Sequence, residues 1–278
     1  MMALDLPLTL PWVGCTLAGL GYVLGRRRVN RAHPGSPIPA WRLSAFLCGL
    51  VAILIALASP VDELADSLLT AHMVQHLLLT MVAPPLLALS APVTLVLRVA
   101  SRGARSRLLL PLLHSRAMRV LASPYLAWPL FAAVMWFAHF SPVYNAALDN
   151  EVLHVAEHGV FFVSGCLFWW PVVGGDPLPR RLGYGARLAY LLLQMPVNAA
   201  VGLAIYFAPG ILYPHYATVD RPWGIDPLAD QQIGGLVMWA AGDLLLLAAV
   251  TWVVAAWMRA DARRSERRAS AGAGSRIG

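Results

Sequence analysis

Seven apolar stretches, each close to the length that crosses a lipid bilayer, dominate what this chain can fold into. They cover approximately residues 8–25, 42–60, 68–92, 121–140, 152–172, 187–208 and 233–257. A hydrocarbon layer about 30 Å thick needs about 20 apolar residues at a helical rise of about 1.5 Å per residue. No water is present there to satisfy backbone N–H and C=O groups, so the stretches are expected to be helices. Charged residues make up 13% of the chain, against roughly 25% in a soluble domain. Of ten tryptophans, Trp12, Trp41, Trp169, Trp170, Trp223 and Trp257 lie near the ends of stretches, where an indole anchors at the membrane interface.

Charge sets the orientation. All 21 basic residues are arginine, clustered at 26–42, 98–119, 180–187 and 259–276, on alternate sides of the proposed spans; only Arg221 falls on the opposite side. That side carries Asp62, Glu63, Asp66, Asp149, Glu151, Asp220, Asp226 and Asp230. The positive-inside rule then places the arginine loops in the cytoplasm. The first stretch has no basic residue before it and is followed at once by Arg26, Arg27 and Arg28, the wrong polarity for a cleaved signal peptide. The expected architecture is an all-α integral membrane protein, a seven-transmembrane helix bundle with its N-terminus outside and its C-terminus cytoplasmic. Residues 1–258 form the membrane domain, and 259–278 form a flexible cytoplasmic tail rich in Ser, Ala, Gly and Arg.

The basic loops are short and juxtamembrane, so anionic headgroups of the lipid bilayer account for them and no nucleic-acid partner is implied. The chain has no P-loop, dinucleotide fingerprint or inverted repeat, and a secondary transporter loses its best sequence support. Cys15, Cys48 and Cys166 fall in different spans without paired spacing, as small apolar residues do. Small residues on several helices suit packing within one bundle or across a homodimer.

Histidine is the residue type that lipid packing does not explain. His72/His76 and His154/His158 each have the spacing that places two imidazoles on one helical face. Both pairs open spans that enter from the acidic side, and His139 closes a span that ends there. Three helices thus carry five histidines to one level, which points to a metal or haem site. Glu157 lies beside His158, and a carboxylate at that depth must be paired, protonated or bound to a cation. Glu157, Met73, Gln75 and Asp230 are candidates for supporting positions around the ligands. Asp230 also suits the N-terminus of its own helix.

The methionines Met73, Met81, Met135, Met195 and Met238 offer thioether sulfur, which favours cuprous copper, but core filling is the better account of each. His33 and His114 belong to arginine loops and are expected to be solvated. His215, in the loop before the last span, is placed to cap the site. Pro84-Pro85 should free carbonyls that need partners from neighbouring helices. Gln194, Pro196, Asn198 and Asp243 form a second polar patch with a structural network as its simplest role. Gly159 and Gly165 would let neighbouring backbones approach.

The block His72-Met-Val-Gln-His76-Leu-Leu-Leu-Thr-Met-Val-Ala-Pro84-Pro85-Leu-Leu-Ala-Leu-Ser-Ala-Pro92 resembles the signature of the Bacillus-type CtaG family, membrane assembly factors of caa3-type cytochrome c oxidases. His154-Val-Ala-Glu157-His158, Trp169-Trp170-Pro171 and Asp230-Gln-Gln-Ile-Gly-Gly-Leu-Val-Met-Trp239 are similar to that family's pattern, and the likeness runs from about residue 41 to 257. The resemblance implies a protein of the bacterial cytoplasmic membrane, a copper chaperone or assembly factor more than an enzyme. It would help insert copper, Cu(I) or Cu(II), into a haem-copper oxidase at its CuA or CuB centre. Its partners would be oxidase subunits and a periplasmic copper donor, with the metal site near the extracytoplasmic side. Some relatives in high-GC bacteria carry a further copper-resistance-like membrane domain, for which this chain is expected to have no room. Two other readings fit the residues: a redox protein ligating haem b through paired histidines, and a structural assembly partner without bound metal.

Overall fold

The computed structural model describes residues 6–148, 150–177 and 181–274, and these form helices joined by turns with no strand among them. Asp149, Arg180 and Arg276, which contribute to the charge bias, lie outside the described residues. The long elements are α1 (Leu6–Ala32), α2 (Ala40–Leu57), the short α3 (Pro60–Ala65), α4 (Leu69–Leu77), α5 (Ala83–Ser90) and α6 (Pro92–Val99). After short helical pieces between Arg102 and Leu121 come α7 (Pro124–Phe140), α8 (Pro142–Leu148), α9 (Glu151–Val173), α10 (Tyr184–Tyr206), α11 (Pro227–Leu236) and α12 (Gly242–Gly274).

Among the described residues, five helical segments are long and apolar enough to cross a membrane: Ala40–Leu57, Leu69–Val99, Glu151–Val173, Tyr184–Tyr206 and Pro227–Arg267. The other two expected spans fall on α1 and on α7, which has 17 residues. Large apolar side chains such as Leu10, Phe137, Leu193 and Leu244 point outward, a surface suited to lipid and not to water. The helix α12 runs on to Gly274, past the expected start of the tail, and its side chains from Asp261 to Arg267 are all exposed.

The main core joins α4, α7, α9, α10 and α12 through Leu69, Phe131, Phe161, Phe168, Leu191 and Leu246, among others, with Met238 added from the turn between α11 and α12. Two smaller clusters seat α1 against α2, α5 and α6 through Tyr22, Val29, Leu95, Cys15, Leu50 and Leu87. Close approach of α10 and α11 rests on paired glycines. A Cβ on Gly202 would meet the Gly235 carbonyl at 2.6 Å, and one on Gly235 would meet the Gly202 carbonyl at 2.7 Å.

The prolines act as the sequence implies. Pro84 and Pro85 have no N–H to return to the preceding turn, and Leu78–Val82 widens into a π-turn just below His76. The carbonyl of Thr80 instead accepts from the indole Nε1 of Trp169 at 2.8 Å. Trp169 is therefore a buried partner of the π-turn and not the interfacial anchor that its place near a span end implied. Gly165 makes this packing fit, because a Cβ there would lie 3.0 Å from the Thr80 carbonyl oxygen. The same role expected of Gly159 is not observed: nothing lies within 4 Å of a Cβ built on it.

Part of the second polar patch, Asn198 with Asp243, is a hydrogen-bond network at another π-turn, Val237–Ala241; Gln194 takes no part in it, and its amide atoms have no hydrogen-bond partner among the described residues. Asn198 Nδ2 donates to the Met238 carbonyl at 3.1 Å and to Asp243 Oδ1 at 3.1 Å.

Candidate metal centre

The helices that carry the histidines are fixed at their N-termini by carboxylates and amides. The Asn150 side chain accepts from Leu153 N at 3.1 Å and so starts α9 one turn before His154. The start of α4, one turn before His72, is capped from across the bundle. Asp230 of α11 accepts from Leu69 N at 2.7 Å and Thr70 N at 3.2 Å, while its backbone carbonyl accepts from Thr70 Oγ1 at 3.1 Å. Asp230 thus caps α4 while also lying, as expected, in the first turn of its own helix, whose N-cap is Asp226.

With both helices held this way, all five histidines meet at one end of the bundle. His72, His76, His139 and His158 are buried and His154 is half-buried. Ring centroids of His72 lie 4.4 Å from His76, 5.3 Å from His154 and 6.1 Å from His158. His139 approaches His76 at 5.4 Å. Two sets of three residues place one potential ligand atom each within 4.8 Å of the others: His72 with His154 and His158, and His72 with His76 and Glu157. His72 belongs to both. His139 belongs to neither and stands beside the cluster.

Hydrogen bonds leave the inward nitrogens available. The Tyr216 hydroxyl donates to the Ala65 carbonyl at 2.9 Å, so at 3.1 Å it accepts from Nδ1–H of His72. Nε2 of His72 then carries the lone pair and accepts from Nε2–H of His76 at 2.9 Å, which leaves Nδ1 of His76 as the free acceptor of that pair. Burial pushes the Tyr216 hydroxyl well above the ordinary phenol range, which keeps it a neutral donor. His139 Nδ1 donates to the Met135 carbonyl at 2.7 Å, again leaving Nε2 as the free face. The Nε2 atoms of His139, His154 and His158, Nδ1 of His76, and both oxygens of Glu157 have no hydrogen-bond partner among the described residues.

A buried polar atom left unpaired costs about 1–3 kcal/mol, and six such atoms belong to residues of this one cluster and its neighbour His139. That donor set, imidazole nitrogen with one carboxylate, fits a divalent or cuprous transition-metal ion.

The supporting residues divide by direction. Gln75 turns away from the imidazoles, and its Nε2 donates to the Ala56 carbonyl at 2.8 Å and to Asp62 Oδ1 at 2.6 Å, tying α4 to α2 and α3. Burial pushes the Asp62 carboxyl up, although Gln75 donates to it. Met73 packs in the main core, facing Gly234 of α11. His215 sits above the cluster with Nε2 at 3.0 Å from the Asp66 carbonyl.

Residues 20–260 match the family model described as cytochrome c oxidase caa3 assembly factor (Caa3_CtaG), a stretch that contains every histidine of the cluster. The chain belongs to this family. Similar to it are uncharacterized proteins of Mycobacterium leprae, 34% identical over 90% of this chain, and of Mycobacterium bovis, 34% identical over 91% of it. Each match covers 39% of the relative, so this CtaG-family chain spans about two fifths of the length of the curated relatives it matches. No solved structure matches it.

Three residues of the site in this CtaG-family chain carry no signal at the level of spacing: Tyr144, Tyr213 and Tyr216. Tyr144 lies 5.4 Å from His72 and 6.0 Å from His139 between ring centroids, and 4.4 Å from Tyr213. Tyr213 donates to the His139 carbonyl at 3.2 Å. All three lie between spans, and only their neighbourhood to His215 and His139 in the chain hints at the site.

Proposed function

We propose that this member of the caa3 oxidase assembly family is a copper-binding chaperone of the bacterial cytoplasmic membrane. It would cross the bilayer seven times, α1 and α7 included, with its N-terminus and its histidine end on the extracytoplasmic side. The reading is carried by one observation, the two three-ligand sets that share His72. In this reading His72, His154 and His158 hold the ion through imidazole, which accommodates both cuprous and cupric copper. His76 and Glu157 form the alternative set. Exchange between two sets with a common ligand lets an ion shift without being fully released, the property a protein needs to hand copper to an oxidase subunit.

The bound ion would be cargo. The chain's own part is to present neutral imidazoles in a dry site, to hold their tautomers through Tyr216 and the Met135 carbonyl, and to keep Glu157 in reach as an anionic ligand. Purified protein in lipid nanodiscs, loaded with copper and freed of excess, tests this directly. About one copper per chain, lost in His72→Ala, is expected. Copper retained undiminished in that variant overturns the assignment. A Soret band in the absorbance spectrum would move the reading to haem, and oxidase maturation that survives replacement of the whole histidine cluster would move it to a structural partner.

A further inference from the structure

A cavity of about 680 Å³ opens between α1, α2, α3 and α9. Its mouth carries four carboxylates, Asp62, Glu63, Asp66 and Glu151, and its floor includes His154 and His158. Along α9 the order is fixed by helical rise: His154 lies about 4.5 Å and His158 about 10.5 Å beyond Glu151. The remaining wall is largely apolar.

Two independent observations make this more than an acidic rim. His158 is 7% exposed, lines the cavity, and its Nε2 has no hydrogen-bond partner among the described residues. His154, the half-buried member of the cluster, lines the same cavity while its ring stacks on His72 at 5.3 Å. One face of the cluster is thus open to a passage whose entrance is negative, and the passage leads to a ligand set already short of partners. His76 and His139 do not line this cavity; both are buried, with Phe161 at centroid distances of 4.2 and 5.7 Å.

We infer that this cavity is the port through which a copper ion enters and leaves, with the four carboxylates collecting it and His154 as the first imidazole to exchange. The inference rests on the copper-site reading. Negative charge at a mouth with apolar walls concentrates cations and raises association rates by about 10- to 1,000-fold, an effect that salt removes. The carboxylates supply rate, and the imidazoles supply affinity.

The test is stopped-flow uptake of Cu(II), supplied as a glycine-buffered solution, by protein in nanodiscs of zwitterionic lipid. Glu63, Asp66 and Glu151 are exposed, so the triple variant Glu63→Gln, Asp66→Asn, Glu151→Gln removes charge without opening the core. It is expected to take up copper about tenfold more slowly at low salt, with little remaining salt dependence and unchanged copper per chain at saturation. Gly14→Trp gives a second arm, because Gly14 lines the cavity and a Cβ on it meets nothing within 4 Å. The indole should obstruct the passage and slow both uptake and release. Parent-like rates and salt dependence in both variants overturn the port while leaving the site standing. A parent that binds no copper overturns the site and the port together.

Discussion

Asp176 and Glu157 are both buried carboxyl groups on or beside α9, near its two ends, and their surroundings are opposite. Asp176 accepts from Val93 N at 3.2 Å and from Thr94 N and Thr94 Oγ1 at 2.6 and 2.7 Å, capping α6 after the left-handed turn at Ala91. Glu157 accepts nothing from the described residues at either oxygen. The first is a structural acid, its desolvation offset by three donors. The second is stable only as a neutral acid or beside a cation. The contrast extends along the bundle. The carbonyl of Thr80, freed by proline, and the acids Asp176 and Asp230 at helix starts have all found partners. Unpaired buried atoms also occur elsewhere, at Trp128, Tyr190 and Gln194, but the histidine end gathers six of them, on His76, His139, His154, Glu157 and His158, which is the donor set that the proposed copper site uses.

The largest break in this comparison comes from His72→Ala. As the one residue in both ligand sets, its loss should take copper retention below detection by metal analysis, while helicity by circular dichroism is kept. Copper retained through the other imidazoles would mean that the clustering does not select a site.

Next in size, Asp176→Ala should destabilise the fold by about 3 kcal/mol, since it strands the donors of Val93 and Thr94. Copper per folded chain should not change. Glu157→Gln should do the reverse: a tenfold or greater loss of copper affinity, of the order seen when metal-site support is removed, with thermal stability of the metal-free protein equal to or above that of the parent. Equal stability losses in the two variants would dissolve the distinction between the ends.

Much of this arrangement is legible without coordinates, for identifiable reasons. His72/His76 and His154/His158 are local in sequence, so helical periodicity alone gives their common faces, and alternation of the arginine loops gives their common end. Pro84 and Pro85 announce free carbonyls because a missing N–H is a property of the residue itself. What periodicity cannot give is the partner. Asp230 lies in the first turn of its own helix, as its position implies, and also caps a helix that begins 161 positions earlier, which no local pattern shows. Of two glycines one and a half turns apart, only Gly165 meets the π-turn, because helix rotation, not composition, decides which faces Thr80. Tyr144 and Tyr216 come from connections whose paths no repeat constrains.

Smaller effects sharpen the same contrast. Asp230→Ala removes the cap on α4 and should cost about 1–2 kcal/mol, with a modest loss of copper affinity because the turn that carries His72 frays. That loss should disappear when affinity is measured at low temperature, where the helix start is re-formed.

The smallest effect is also the most specific. Trp169→Phe keeps the ring's bulk but deletes the donor to the Thr80 carbonyl, and should destabilise by about 1 kcal/mol. If proline is the reason that carbonyl was free, Pro84→Ala offers it a backbone N–H in compensation. The double variant should then be more stable than the sum of the single changes predicts, with a coupling of about 0.5–1 kcal/mol. Strict additivity in denaturation would show that Trp169 contributes through packing alone. The π-turn beneath His76 would then owe its shape to the contact of Gly165 with Thr80 and not to the missing donor.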